Sequence, residues 1–193
     1  MTIATRCEIV PEPAAQTAFL IDGREVLRWC HSSLDPRPYF YPLRGPASGR
    51  SLTRLGHPGA PNHDHHNSVW FAHHKVLGVD FWSISSTARI VQRQWCVYEE
   101  GDVARMAVQL DWLDGHDPAP LLEQDLGATL SPLPRGEYTL ALDSTFRPRA
   151  DELELQQTNF GCFAVRVART LSAHFGGGAL TGSNGLRGEA DLF

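Results

Sequence analysis

The clearest pattern along the chain is an alternation of apolar and polar residues with a period of two. It is strongest in residues 103–113 and 137–146, and shorter stretches at 153–155 and 163–167 repeat it. Such alternation is typical of antiparallel strands that are buried on one face. Residues 164–175 are the one stretch that could also be a helix, and the spacing of their apolar residues leaves this open.

The first half of the chain also predicts strands. Residues 17–22 and 25–30 flank Asp22-Gly23, a dipeptide that favours a tight hairpin turn. Residues 37–44 should be extended but outside the centre of a sheet, because proline removes a backbone donor from the ladder. The remaining predicted strands are short, at 6–10, 51–55, 70–72 and 76–82.

Many strands, recurrent turns and few helices predict a single all-β domain over residues 1–193. We expect an antiparallel β-sandwich. Residues 176–188 are loop-like, and residues 189–193 then begin an apolar stretch and stop. This ending predicts an incomplete sandwich in which one sheet edge is unpaired, and such an edge favours a homo-oligomer.

Composition excludes several classes of protein. The net charge is −5, and Lys75 is the one lysine, so a nucleic-acid binder, which needs clustered cations, is not expected. No stretch approaches the roughly 18 apolar residues of a membrane span. The N-terminus lacks a basic region followed by an apolar run, and the four cysteines are widely spaced. We therefore predict a cytoplasmic protein with reduced, mostly buried thiols.

Histidine is concentrated in one segment. Six of the nine histidines lie in residues 57–74. Imidazole binds metals in its neutral form and exchanges protons near neutral pH, so this segment is the best candidate for a functional site. We take His63, His65 and His66 as its candidate catalytic residues.

Three interpretations of this segment remain open. If residues 62–66 are extended, His63 and His65 project from one face and Asp64 and His66 from the other. His63 and His65 could then bind a divalent transition metal with a further ligand, for which the candidates are His57, His73, Glu123 and Asp143. Without a metal, one imidazole could protonate a sugar oxygen while a carboxylate abstracts a proton. A polar loop without chemistry is the third interpretation.

Other residues carry weaker signals. Arg37 and Arg44 flank the aromatic segment 39–41, and arginine beside an aromatic face suits a carbohydrate or a carboxylate. Arg37, Tyr39 and Arg44 are therefore candidate substrate-binding residues, although a packed surface strand has the same composition. We expect His73-His74 to have a structural role or to lie at the rim of the site, and we expect Asp143 to be exposed to solvent.

Several segments together resemble the bacterial family labelled PmoA, or methane oxygenase PmoA. The resemblance spans about residues 37–190. The segments that carry it are Arg37-Pro-Tyr-Phe-Tyr-Pro-Leu-Arg44, Asn62-His-Asp-His-His66 with Trp70-Phe71, Gly78-Val-Asp-Phe-Trp82, Phe160-Gly-Cys-Phe-Ala-Val-Arg-Val-Ala168, Gly177-Gly178 and Asn184-Gly-Leu-Arg-Gly-Glu189. The chain differs from the family pattern at Tyr41 and at Asn67-Ser68, and family members continue past its C-terminus.

The Asn-His-x-His stretch is also similar to the first catalytic histidine region of aldose 1-epimerases, which are β-supersandwich proteins that act on sugars. This similarity implies a galactose-mutarotase-like supersandwich as an alternative fold. It also implies a function on a carbohydrate or sugar derivative, by isomerase-type or lyase-type acid/base chemistry at His63, His65 and His66. Methane oxidation is not expected, because the membrane protein of that name is a bundle of apolar helices. A metal-dependent oxygenase or lyase and a non-catalytic carbohydrate-binding module are the alternatives.

Overall fold

The computed structural model describes residues 5–56 and 63–188, and this part of the chain contains ten β-strands. The strands are β1 (Cys7–Glu12), β2 (Gln16–Ile21), β3 (Arg24–Cys30), β4 (Tyr39–Leu43), β5 (Val69–His73), β6 (Arg89–Glu99), β7 (Ala104–Leu113), β8 (Leu122–Pro132), β9 (Tyr138–Pro148) and β10 (Gly161–Val165). Short 3-10 turns lie at Pro134–Gly136 and Arg169–Leu171. No helix within the described residues is long and apolar enough to cross a membrane.

The strands form two antiparallel sheets. The larger sheet has the order β1-β2-β3-β4-β5-β10, and the smaller has the order β6-β7-β8-β9. Their inner faces pack against each other, which confirms the predicted all-β sandwich. The larger supersandwich stays a prediction.

The core follows directly from the alternation in the sequence. Every second residue of β7 and β8 is buried, and these residues meet the inner face of the larger sheet. Trp29 and Trp112 are the largest of the core side chains, each 1% exposed. Burial of one such apolar side chain stabilises the fold by roughly 1.5–3 kcal/mol, so the core dominates stability.

The hairpin between β2 and β3 forms at the predicted dipeptide. Asp22 and Gly23 have φ angles of 50° and 73°. Both residues therefore lie in the left-handed region that a two-residue turn between twisted strands requires.

Residues 37–44 depart from the prediction, because β4 lies in the interior of the larger sheet, between β3 and β5. Pro42 was expected to exclude this segment from the interior of a sheet, because proline has no N–H to donate to a neighbouring strand. Pairing with β5 involves only Tyr39 and Phe40, and pairing with β3 is irregular where Pro42 lies. The proline thus occupies a part of the strand where a missing N–H breaks little of the ladder.

Other element predictions were partly wrong. Residues 76–82 form turns with isolated bridges at Val76 rather than a strand. Residues 164–175 contain the end of β10 and a 3-10 turn, without an α-helix. Of the four free cysteines, Cys7 and Cys30 are buried, but Cys96 and Cys162 are exposed.

The sandwich is open along one side. Within the described residues, β9 and β10 have no neighbour on their outer edges. A groove of about 440 Å³ lies between them, lined mainly by apolar side chains that include Leu140, Leu142, Phe163 and Val165.

Candidate functional site

Residues 63–66 form a tight turn. The His66 N–H donates to the His63 carbonyl oxygen at 3.1 Å, and the Gly56 N–H donates to the His66 carbonyl oxygen at 2.8 Å. The condition under which His63 and His65 would share one face and His66 the other, an extended segment, is therefore not met in residues 63–66. A turn gathers side chains that the alternation of a strand would separate.

The turn brings three imidazole rings together. The ring centroids of His65 and His66 are 4.3 Å apart, those of His63 and His66 are 5.0 Å apart, and those of His63 and His65 are 6.3 Å apart. All three side chains are partly exposed. The three candidate catalytic residues thus share one small, accessible surface.

Two indole rings pack against the imidazoles of His65 and His66. The His66 ring stacks on Trp70 at 5.5 Å, and Trp82 lies 6.0 Å from His66 and 6.2 Å from His65. The two indoles are 5.4 Å apart. We call His63, His65, His66, Trp70 and Trp82 the histidine–tryptophan cluster.

Each indole is positioned by its own element. Trp70 lies on β5 and is 3% exposed. Trp82 follows a turn in which Asp80 Oδ1 accepts the Trp82 N–H at 2.7 Å and the Ser83 N–H at 3.0 Å. An aspartate that accepts backbone donors two and three residues ahead fixes the turn that presents the indole.

Arg37 ties the two loops of the cluster together. Its guanidinium, 1% exposed, donates to the carbonyl oxygens of His65, at 2.9 Å, and Trp82. It also donates to Asn67 Oδ1 at 3.3 Å. Burial lowers the pKa of Arg37 to about 10, which still leaves it charged at neutral pH. Most of its donors are used within the protein, so Arg37 positions the site rather than presenting a free guanidinium to a ligand.

Several buried polar atoms of this region have no hydrogen-bond partner among the described residues. They are His66 Nδ1, Arg37 Nε and the Nε1 atoms of Trp70 and Trp82. A buried donor or acceptor without a partner costs about 1–3 kcal/mol. These atoms are shielded from solvent, so a ligand at the surface would reach them only after the cluster rearranges.

Burial and neighbouring groups keep the imidazoles of His65 and His66 neutral. Burial, followed by the charges of His65 and Arg166, lowers the pKa of His66 to about 3. Burial, followed by Arg37, also lowers the pKa of His65. Near neutral pH, these two rings therefore act as neutral donors and acceptors rather than as cations.

Among the carboxylates near His65, Asp80 raises the pKa of that imidazole most. Burial alone would raise the pKa of Asp80, but the hydrogen bonds from Ser83 and Trp82 outweigh it and lower that pKa. Asp80 is consequently ionised, and its charge partly opposes the loss of a proton from His65. Its Oδ2 also accepts from the Ser83 hydroxyl, so both carboxylate oxygens already hold the turn.

Tyr39 and Arg44, the other predicted substrate-binding residues, lie in different places. Tyr39 is half-buried and packs against the indoles of the cluster. Arg44 lies elsewhere, where it donates to Glu25 Oε1 at 3.1 Å and to the Gly49 carbonyl oxygen at 3.2 Å. The structure thus brings Tyr39, but not Arg44, to the histidines.

His73 and His74 agree with the structural or rim role predicted for them. His73 is 7% exposed, and its Nδ1 accepts the Lys75 N–H at 3.1 Å. Its ring packs against Gly161, where an added Cβ would lie 2.5 Å from the ring. His74 is partly exposed, with Nε2 3.9 Å from Asp80 Oδ2.

Two of the candidate third metal ligands, Glu123 and Asp143, do not join the cluster. Glu123 and Asp143 lie on the outer face of the smaller sheet, where Glu123 pairs with Arg93 and Arg149. His57 lies outside the described residues. Within residues 5–56 and 63–188, no group of three or more His, Cys, Asp or Glu side chains has the geometry of a metal site.

Sequence reasoning missed part of the site. The sequence predicts no functional role for Asp80 and Trp82, which lie in the predicted strand 76–82 and in a segment of the family resemblance. It predicts none for Phe160 either, whose ring lies 5.7 Å from Trp82. The local signal was an aspartate two residues before a tryptophan, which is typical of a capped turn. This local pattern does not predict which rings from distant parts of the chain will contact the Trp82 indole.

Comparison with known proteins gives a family but no activity. A family model described as a family of unknown function, DUF6807, matches residues 16–193. No curated protein and no solved structure matches the chain. The PmoA resemblance stays a prediction, because the matched description names no function.

Proposed function

We propose that this chain, which belongs to the family of unknown function DUF6807, binds a carbohydrate or sugar derivative at the histidine–tryptophan cluster. The observation that supports this most is a group of three partly exposed imidazoles, two of which, those of His65 and His66, contact two indoles. A sugar presents an apolar ring face together with hydroxyl groups that donate and accept. Aromatic rings with scattered donors and acceptors complement both.

The electrostatics favour hydroxyl groups as the ligand's polar atoms. A neutral imidazole has one donor and one acceptor nitrogen, and the lowered pKa values of His65 and His66 keep them in this form. The cluster can therefore accept from one hydroxyl and donate to the next, as a ring of hydroxyls requires.

The same electrostatics support binding better than turnover. A group with a pKa of about 3, as at His66, is a weak base and holds no acidic proton at neutral pH. Protonation of a sugar oxygen by His66 is thus unfavourable. Isomerase-type or lyase-type chemistry stays a prediction, to be tested by product analysis after each binding experiment.

The test is isothermal titration calorimetry with glucose, galactose, fructose and glucuronate as probes. We expect at least one probe to bind the wild-type chain saturably. Trp82→Phe replaces the indole that packs against His65 and His66 by a smaller ring, so it should loosen the cluster and weaken binding roughly tenfold. His65→Ala/His66→Ala should reduce binding below detection.

Matched controls separate this effect from loss of fold. Trp95→Phe changes a tryptophan on β6 that packs on His31 and Tyr98, and His116→Ala changes an exposed histidine. Both should bind as the wild type does. Equal affinity for the wild type and Trp82→Phe, or no binding of any probe, would argue against the proposal. Elemental analysis of the tag-free protein, compared with His63→Ala/His65→Ala, tests the metal alternative separately.

A further inference from the structure

Strand β9 is a long and regular edge. It pairs with β8 along its full length from Tyr138 to Pro148, with no shift of register. No strand of the described residues lies on its other side. Exposed edges are usually protected by bulges, short strands, prolines or lysines. β9 has none of these before Pro148.

The backbone groups on the open side can be assigned. The Arg149 N–H, just beyond β9, donates to the Leu121 carbonyl oxygen at 3.1 Å. Along an antiparallel ladder, alternate residues bond to the same neighbour, so the odd-numbered residues of β9 bond to β8. The even-numbered residues therefore direct N–H and C=O groups towards the open side.

Two opposite charges stand on the outer face of this edge. Asp143 is exposed and has no ion pair within the described part of the chain. Arg147, whose side chain is 51% exposed, pairs with Asp125 of β8. Both are odd-numbered, so their side chains lie on the same face of the strand.

We propose that two copies of this chain associate by antiparallel pairing of their β9 edges about a twofold axis at Thr145. Residues 142–148 of each copy would then face residues 148–142 of the other. Asp143 of each copy lies opposite Arg147 of the second copy, and the two Thr145 residues lie opposite each other. The interface is isologous, so the ion pair occurs twice.

This register places opposite charges across the interface. Even-numbered residues face even-numbered residues, so Ser144 and Phe146 exchange backbone hydrogen bonds, and the Leu142 N–H donates to the Pro148 carbonyl oxygen, which has no N–H beside it to return a bond. Asp143 and Arg147 then form a non-hydrogen-bonded pair, in which opposing side chains are closest. An axis at Asp143 would instead place two carboxylates together, which is unfavourable.

The inner face agrees with the same arrangement. Phe146 is 36% exposed, and it lies on the same face of β9 as Leu140 and Leu142, which line the apolar groove. In the proposed register it lies opposite Ser144 of the second copy. Pairing of the two edges extends the smaller sheet into a continuous sheet across the dimer and places Phe146 of each copy beside β9 of the other.

The test is sedimentation velocity and light scattering over a concentration series of the full chain. The wild type should dimerise. Asp143→Arg and Arg147→Asp each create two like-charged pairs, and each should weaken dimerisation at least about tenfold. The charge swap Asp143→Arg/Arg147→Asp should restore it.

Three results would overturn this proposal. The first is a wild-type chain that is monomeric at every concentration. The second is a dimer whose affinity is unchanged by Asp143→Arg and by Arg147→Asp. The third is a loss of the dimer in both single variants that the double charge swap does not restore. Asp125→Asn is the matched control, because it removes the ion pair of Arg147 within one copy. If it weakens association as much as Arg147→Asp, the intramolecular pair explains the effect and the proposal fails. Circular dichroism of each variant verifies that it is folded.

Discussion

At the scale of single residues, Arg37 is the side chain that holds the two loops of the histidine–tryptophan cluster together. Its guanidinium is buried and bonds to backbone carbonyl oxygens on two separate loops. A guanidinium can do this because it offers five donors in a fixed plane, which an ammonium cannot match. The side chain that looked like a ligand-binding arginine in the sequence is thus the anchor of the histidine turn.

Arg37→Ala should therefore lower the free energy of unfolding by about 3 kcal/mol, because buried carbonyl oxygens lose their donors and a cavity remains. Arg37→Lys should recover only part of this loss. Urea denaturation measures both. Arg105→Ala is the control, since Arg105 is an exposed arginine paired with Glu99 and should change stability little. An Arg37→Ala chain as stable as this control would contradict the anchoring role.

His66 should make stability depend on pH. Its pKa is about 3 in the folded chain, against an ordinary value of 6.5, so the unfolded chain binds the proton more readily. Between these two values, stability falls as the pH falls, because protonation favours the unfolded state. His66→Asn should make this decline shallower, and His116→Asn should not. Urea midpoints at a series of pH values measure the slope, and equal slopes in wild type and His66→Asn would refute the account.

At the scale of elements, a hydrogen bond between side chains of the two sheets supplements the apolar core. The Trp29 Nε1–H on β3 donates to Gln92 Oε1 on β6 at 2.7 Å. Trp29 is almost fully buried, so loss of its acceptor leaves an indole donor unmatched. The bond therefore fixes how β3 and β6 face each other.

Gln92→Ala should lower the free energy of unfolding by roughly 1–3 kcal/mol, the cost of that unmatched donor. Gln94→Ala is the matched control, because Gln94 is an exposed glutamine on the same strand. Thermal and urea unfolding should place Gln92→Ala well below Gln94→Ala. Similar values for the two would show that the bond contributes little.

The elements that the sequence predicted well are those whose burial alternates. β7 and β9 were found because one face is apolar, and the hairpin at Asp22-Gly23 because its turn needs positive φ angles. The prediction for β4 was wrong because a proline excludes a central strand only where its N–H would be needed for pairing. The sequence does not show which residues of the strand are paired. β6 and β8 were not identified, although β8 has a full alternation.

At the scale of the whole molecule, the sequence indicates the segment of the candidate site but not the geometry of that segment. The concentration of histidines drew attention to residues 63–66, yet their rings converge only because the segment is a turn rather than a strand. Trp82 joins them from a separate loop. Contacts of this kind depend on tertiary packing, which no periodicity or motif encodes locally.

The most direct test of the central claim follows the histidine side chains by long-range ¹H–¹⁵N NMR during titration with the sugar that binds most tightly. The account predicts that the imidazole signals of His65 and His66 shift to saturation with the calorimetric affinity. The signals of His116 and His174, which lie outside the cluster, should stay in place. Saturable binding that leaves the His65 and His66 signals unmoved would place the ligand elsewhere and contradict the account.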